Sequence, residues 1–165
     1  MDAFVIDAFE FCRQKERREG EVPVADLARV SADTADKSGA IKWSLQGGRD
    51  GHGHSQLTLS VSGTVKLMCQ RCLTPFSFDV DSEVVLVLAP DEESIDAIET
   101  LIDDESVDVI AGSQAMSVID LIEDEVLLSL PLSPKHEVCP DQEALEALRK
   151  TDKESPFAVL KNLKQ

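Results

Sequence analysis

The sequence predicts an α+β fold: an antiparallel sheet or partial barrel, packed by a central helix and flanked by terminal helices. Apolar residues alternate over 57–67 and again over 76–80, on either side of a Cys-x-x-Cys pair. This pattern is typical of a hairpin with one buried face and a cysteine knuckle at its tip. A third alternating run, at 41–45, extends the hairpin to a meander. At 165 residues the chain fits one domain, 1–165.

The N-terminal segment 2–19 is predicted to form the first helix. Val5, Ala8, Phe9 and Cys12 recur there at helical spacing, and Gly20 is placed to end the helix. An extended piece and a helical turn are expected over 21–30. The glycine-rich stretch 47–54 is interpreted as a loop, with His52 and His54 exposed to solvent.

The strand that follows the cysteine pair is predicted to continue through 84–88, where an uninterrupted apolar run indicates burial on both faces. Residues 91–108 then contain nine acids in eighteen positions. This segment is interpreted as a mobile acidic loop with a marginal helix, or as an element ordered on binding a basic surface. A short strand is expected at 107–110.

Ser117 and Asp120 have the spacing of a capping box, which predicts a central helix from Ser117 to about Ser129, with Pro131 as its stop. Its expected apolar face comprises Ile119, Ile122, Val126 and Leu130, widened by Leu121, Leu127 and Leu128. Further helices are predicted at 140–150 and 155–163. The last of these either docks on its own domain or serves as an exposed anchor for a partner.

Cys69 and Cys72 form the motif with the clearest chemistry. A thioredoxin-type redox pair begins a helix, whereas the residues after Cys72 carry a strand period. His136 and Cys139 repeat the same three-residue spacing and would complete a closed Cys3His site for one structural zinc ion. The alternative interpretation is that the cysteines are small, half-buried packing residues.

Three blocks of the chain resemble the YceD family, also called DUF177, the large ribosomal RNA subunit accumulation protein. They are CQRCL at 69–73, IDLIEDEVLLSLP at 119–131 and SPFAVLKNLK at 155–164. The resemblance implies a factor needed for synthesis, processing or stability of 23S ribosomal RNA, without a known catalytic activity. Some family members carry further cysteines near position 139, where this chain offers only His136 and Cys139.

The cellular location is expected to be the cytoplasm, with no membrane partner. The first residues lack the basic start and apolar run of a secretion signal, and the longest apolar run, 84–90, is too short to span a bilayer.

The net charge of −16 arises in one region, because residues 72–134 contain sixteen acids and no Lys or Arg. Phosphate backbones gain affinity from Lys and Arg, so this region is expected to repel RNA. Ribosomal RNA is therefore predicted to be an indirect partner, reached through a basic ribosomal protein or a ribosome-assembly factor. The predicted contact residues are Asp91, Glu92, Glu93, Asp103, Asp104 and Glu105.

Two other functions compete with this one. A metal-dependent RNA-processing enzyme would use acids near the start of the central helix, such as Asp120 and Glu123, together with the cysteine pair. No glycine-rich phosphate loop or nucleophile–base pair accompanies them, so the chain is predicted not to be an enzyme. The other alternative is a zinc-stabilised adaptor for protein interactions.

Overall fold

The computed structural model describes residues 4–137 and 139. Within them lie four helices: α1 (Ala8–Arg13), α2 (Ala28–Asp33), α3 (Ile95–Ile102) and α4 (Val118–Ser129). The strands in the same residues are β1 (Val5–Ile6), β2 (Arg17–Pro23), β3 (Ala40–Arg49), β4 (Ser55–Met68), β5 (Pro75–Ala89), β6 (Val107–Ala111) and β7 (Met116–Ser117). Short 3-10 turns occupy Val24–Asp26 and Glu92–Ser94. The helices predicted at 140–150 and 155–163 lie outside the described residues.

The main sheet is open and has the strand order β2-β3-β4-β5-β6. Its first four strands form an antiparallel meander, which confirms the predicted hairpin and its neighbouring strand. The β4–β5 pairing is the longest, from Gln56 opposite Val87 to Met68 opposite Pro75, and it ends at the cysteine knuckle. The sixth strand joins β5 in parallel, which the sequence did not predict.

The two faces of the sheet are covered by different helices. Leu59 and Leu86 belong to the larger core, which also contains Val118, Ile122 and Val126 of α4. On the opposite face of β5, Val87 and Ala89 pack with Ile98 of α3 and Val109 of β6 in a second cluster. Because the final part of β5 is covered on both sides, its continuous apolar run is explained as predicted.

The predicted helix over 2–19 is wrong. Only α1 is helical: Asp7 caps it by accepting hydrogen bonds from the backbone N–H groups of Phe9 and Glu10, and it ends at Arg13. The chain then reverses at Lys15, whose φ is 53°. Residues 17–23 become an edge strand instead, because their backbone groups pair with β3. The following turn at 24–26 and the burial of Leu27 and Val30 agree with the sequence-based expectation.

The acidic segment 91–108 contains an ordered helix. In α3, the side chains of Ile95, Ile98 and Ile102 pack against the second cluster, while Leu101 stays 56% exposed. Helical spacing therefore placed three of the four apolar side chains correctly. The mobility of this segment stays a prediction.

The central helix begins at the predicted cap. The Ser117 hydroxyl accepts a hydrogen bond from the backbone N–H of Asp120 at 3.2 Å. The expected apolar face is too wide, since Leu128 is 77% exposed. The predicted loop over 47–54 is also shorter than expected, because residues 47–49 continue β3. No helix among residues 4–137 and 139 combines the length and apolar character needed to cross a membrane.

Candidate metal centre

The knuckle is formed by the turn that joins β4 to β5. The backbone N–H of Cys69 donates to the carbonyl of Thr74 at 3.0 Å, and the N–H of Leu73 donates to the carbonyl of Cys69 at 2.9 Å. Leu73 adopts a left-handed conformation with φ 59°, and its side chain is 72% exposed. Cys69 is buried and Cys72 is half-buried. The turn thus holds one thiol inside the protein and the other at its surface.

The second half of the site comes from the segment that follows α4. The backbone N–H of Gln70 donates to the carbonyl of Pro134 at 2.8 Å, and the Arg71 guanidinium donates to the carbonyl of His136 at 2.9 Å. The His136 ring lies against Phe76, with the ring centroids 4.9 Å apart. These contacts bring the 133–139 segment to the hairpin tip, although 64 positions separate Cys72 from His136.

Four ligand atoms meet there: the Sγ atoms of Cys69, Cys72 and Cys139 and a ring nitrogen of His136, all within 4.8 Å of one another. The Cys69 and Cys139 sulfurs are 3.9 Å apart, and Cys72 Sγ is 3.3 Å from His136 Nδ1. Zinc–ligand bonds of 2.0–2.3 Å in a tetrahedron place neighbouring ligand atoms roughly 3.4–3.8 Å apart. The four residues that the sequence singled out therefore form a potential metal site, and their donor set fits zinc.

The buried thiols experience different electrostatic environments. Burial opposes ionisation of Cys69, but hydrogen bonds from the backbone N–H groups of Cys72, His136 and Arg71 outweigh it and lower the pKa of its thiol. The pKa of the Cys139 thiol is raised by burial and by hydrogen bonding to Cys72 and Cys69. N–H groups aimed at a sulfur favour the thiolate, which is the form that binds metal.

The six predicted partner residues all lie on the surface around α3. Asp91 and Asp104 also act within their own turns, where they accept hydrogen bonds from the backbone N–H groups of Ser94 and Ser106. For Asp104, hydrogen bonds from the Ser106 hydroxyl and then from the Ser106 backbone N–H lower the pKa of the carboxyl. The ion pairs that the structure shows among residues 4–137 and 139 all lie outside 91–108. The acids on this surface are therefore not neutralised by neighbouring cations in the described part of the chain.

Glu123, which the enzyme alternative assigned to metal, has a structural role instead. Its side chain is 6% exposed, and its Oε2 accepts hydrogen bonds from the backbone N–H groups of Arg29 at 2.6 Å and Val30 at 3.2 Å. Those groups belong to the first turn of α2, whose N-cap residue, Leu27, provides no side-chain hydrogen bond. Asp124 is also engaged, by the Arg29 guanidinium at 2.6 Å. The only local signal for this role is a helix that starts without a polar cap.

A second group of metal-ligating side chains lies in the loop between β3 and β4: Asp50, His52 and His54. The prediction that both histidines are exposed holds better for His52, whose side chain is 47% exposed, than for His54, at 25%. The sequence-based prediction for this loop concerned the two histidines and did not include Asp50. An aspartate two and four positions ahead of them was the signal that it missed.

The family comparison covers the part of the chain that carries the knuckle, α3 and α4. A family model described as "Large ribosomal RNA subunit accumulation protein YceD" matches residues 57–164. That description names accumulation of an RNA and no reaction. No solved structure matches this chain.

Proposed function

Because the chain belongs to the YceD family of large ribosomal RNA subunit accumulation proteins, we propose that it is a non-enzymatic cytoplasmic factor that supports accumulation of 23S ribosomal RNA. The family match over residues 57–164 carries the biological role. We further propose that it acts through a basic protein, either a ribosomal protein or an assembly factor, and reaches the RNA indirectly.

The acidic surface of α3 supports a basic protein as the direct partner. Asp96 and Glu99 on the helix, with Glu92, Glu93 and Glu105 beside it, face solvent. Carboxylates without nearby cations repel a phosphate backbone and attract Lys and Arg side chains of a partner. Leu101, 56% exposed among these acids, adds an apolar contact that a protein partner can cover.

We also propose that Cys69, Cys72, His136 and Cys139 hold one structural zinc ion. Zinc would join the hairpin tip to the segment after α4, adding covalent-strength links to the hydrogen bonds of Gln70 and Arg71. Such a link stabilises the folded chain, because the four ligands come together only when the chain is folded. On this proposal the metal stabilises the folded chain and takes no part in a reaction.

The role is tested by measuring the ratio of large-subunit to small-subunit ribosomal RNA in cells depleted of the protein. We expect the ratio to fall and a wild-type copy to restore it. A copy with Cys69→Ser and Cys72→Ser tests the thiols in the same cells, with its abundance measured alongside. An unchanged ratio after depletion would refute the role in RNA accumulation.

The route through a basic partner is tested by neutralising four exposed acids with near-isosteric amides: Glu92→Gln, Glu93→Gln, Asp103→Asn and Glu105→Gln. The control variant makes the same charge change on the other half of the chain: Glu19→Gln, Glu21→Gln, Asp26→Asn and Asp33→Asn. We expect only the α3 variant to lose the proteins that co-purify with wild type at low salt, and added salt to weaken the wild-type complex. Equal retention by both variants would contradict the assignment of this surface.

The enzyme alternative makes a different prediction. Purified protein would cleave ribosomal RNA when supplied with magnesium or zinc, and Asp120→Asn or Glu123→Gln would abolish the cleavage. The engagement of Glu123 by two backbone N–H groups and of Asp124 by Arg29 favours the non-enzymatic proposal.

A further inference from the structure

The loop between β3 and β4 is closed around Asp50. The backbone N–H of Asp50 donates to the carbonyl of His54 at 3.0 Å. In return, Asp50 Oδ1 accepts hydrogen bonds from the backbone N–H groups of His52 at 2.9 Å and His54 at 2.8 Å. Gly53, with φ 84°, allows the reversal. One carboxylate oxygen is thus sufficient to hold the turn, and the second is available for another contact.

That second oxygen, Oδ2, faces both imidazole rings. It lies 3.0 Å from His54 Nδ1 and 3.9 Å from His52 Nδ1. The Asp50 side chain is only 10% exposed, whereas the side chains of His52 and His54 are 47% and 25% exposed. An ordinary aspartate–histidine pair accounts for His54 alone. It leaves His52 unexplained, since 3.9 Å is too long for a hydrogen bond.

We propose that Asp50, His52 and His54 bind a divalent transition cation, with Zn²⁺ as the physiological ion, through Asp50 Oδ2 and one ring nitrogen of each histidine. Two imidazole nitrogens and one carboxylate oxygen are ligands that zinc accepts, whereas magnesium prefers an all-oxygen shell. Bonds of 2.0–2.2 Å in a tetrahedron separate neighbouring N and O ligand atoms by about 3.4 Å. The 3.0 and 3.9 Å separations bracket that value, so small movements of the exposed His52 ring and the half-buried His54 ring bring both nitrogens to bonding distance.

The proton balance of binding is simple. A neutral His54 that carries its proton on Nδ1, facing Asp50 Oδ2, transfers that proton to Nε2 through solvent when Nδ1 binds the metal, whereas an imidazolium releases it to solvent; in both cases His54 binds with its proton on Nε2 and Asp50 binds as a carboxylate. Three protein ligands leave at least one coordination position for water or for a side chain of a partner.

This site is separate from the cysteine site in both position and assembly. The loop precedes the first residue of β4 and the knuckle follows the last, and fourteen strand residues at about 3.3 Å each put roughly 40 Å between them. All three ligands come from five consecutive residues, so the site needs only the β3–β4 hairpin. The inference is therefore independent of the proposed function and of zinc at Cys69.

The test uses the full chain first loaded with one equivalent of zinc, and records ring nitrogen resonances by ¹⁵N NMR. The chain has only His52, His54 and His136, so assignment is direct. A second equivalent of zinc is expected to shift the His52 and His54 ring nitrogens and leave His136 unchanged, whereas magnesium shifts none of them. Failure of both the first and the second equivalent of zinc to shift the His52 and His54 ring nitrogens would overturn the site.

A variant separates metal binding from the fold of the loop. Asp50→Asn keeps Oδ1 as the acceptor of the two backbone N–H groups and replaces the ligating oxygen by an amide NH₂. We expect at least a tenfold loss of affinity for zinc at this loop. Substitution of residues that only hydrogen-bond to metal ligands already lowers metal affinity about 10- to 100-fold, and Asp50→Asn removes a ligand itself. His52→Ala should lose affinity similarly, whereas Asp26→Asn is the charge-matched control. Unchanged affinity in Asp50→Asn would show binding elsewhere and refute the proposal.

Discussion

Replacing Glu123 by alanine is expected to destabilise the protein strongly, although Glu123 belongs to an acid-rich stretch whose side chains are usually solvated. The buried carboxylate caps α2 from a position 94 residues further along the chain, through the backbone N–H groups of Arg29 and Val30. In Glu123→Ala both groups lose their acceptor. Leu27 offers no replacement, because its side chain makes no cap hydrogen bond.

The magnitude follows from these two bonds. Hydrogen bonds to a charged group contribute about 1.5–3 kcal/mol each, and water can partly replace the carboxylate at Arg29, which is less buried than Val30. We therefore expect Glu123→Ala to lower the free energy of unfolding by about 3 kcal/mol. Glu123→Gln keeps an acceptor of the same shape but without charge, and is expected to cost roughly half as much.

Urea unfolding measures both variants through the fluorescence of Trp43, the single tryptophan, which is buried in the core at 7% exposure. With a slope of about 2 kcal/mol per molar urea, Glu123→Ala should lower the midpoint by about 1.5 M. Asp124→Asn is the control, since Asp124 binds the same Arg29 side chain at the surface and caps no helix. If Asp124→Asn lowered the midpoint as much as Glu123→Ala, the capping explanation would be refuted in favour of the ion pair.

Three further predictions concern packing, backbone and metal. Gly47→Ala should lower the free energy of unfolding by about 2–3 kcal/mol, because a Cβ there would lie 2.6 Å from the Phe11 carbonyl oxygen. At the adjacent Gly48, a Cβ meets nothing within 4 Å, so the stability of Gly48→Ala should stay near that of the wild type in the same urea assay. Leu73→Gly should raise the free energy of unfolding by about 0.5 kcal/mol in that assay. The strain of holding a leucine in the left-handed conformation is removed, and this gain exceeds the loss from the greater entropy that glycine gives the unfolded chain; a fall in stability would contradict this. A chelator should lower the melting temperature of the zinc-loaded protein more than that of Cys69→Ser, which lacks one of the knuckle ligands; equal shifts would disprove a stabilising metal at the knuckle.

The cysteine knuckle shows which parts of a site can be predicted from local sequence patterns and which cannot. The strand periods on both sides of Cys69 and Cys72 predicted the hairpin, because alternation reports directly which side chains face a core. The spacing of His136 and Cys139 made them candidate ligands, and the structure places them beside the two thiols. Their approach to the hairpin, however, depends on contacts such as Gln70 to Pro134, between parts of the chain that no local pattern relates.

The N-terminal segment shows the opposite case. The apolar spacing of this segment is typical of a helix. Residues 17–23 instead satisfy their backbone hydrogen bonds by pairing with β3, and this pairing is favoured over a continuation of α1. Strand formation depends on a partner distant in sequence, so local periodicity misjudges it. The same reason explains why the parallel pairing of β6 with β5 was not predicted.

Patterns along the chain were sufficient to predict the meander, the capped central helix, the two pairs of candidate metal ligands and the concentration of acids at 91–108. These follow from periodicity, capping and composition, which act over a few residues. Packing of the folded chain, by contrast, brings those two pairs together, places α3 on the sheet face opposite α4, lets Glu123 cap α2 and directs the second oxygen of Asp50 toward two histidines. Each of these depends on which surfaces and backbone groups meet after the chain has folded, and that is settled by the packing of the whole molecule.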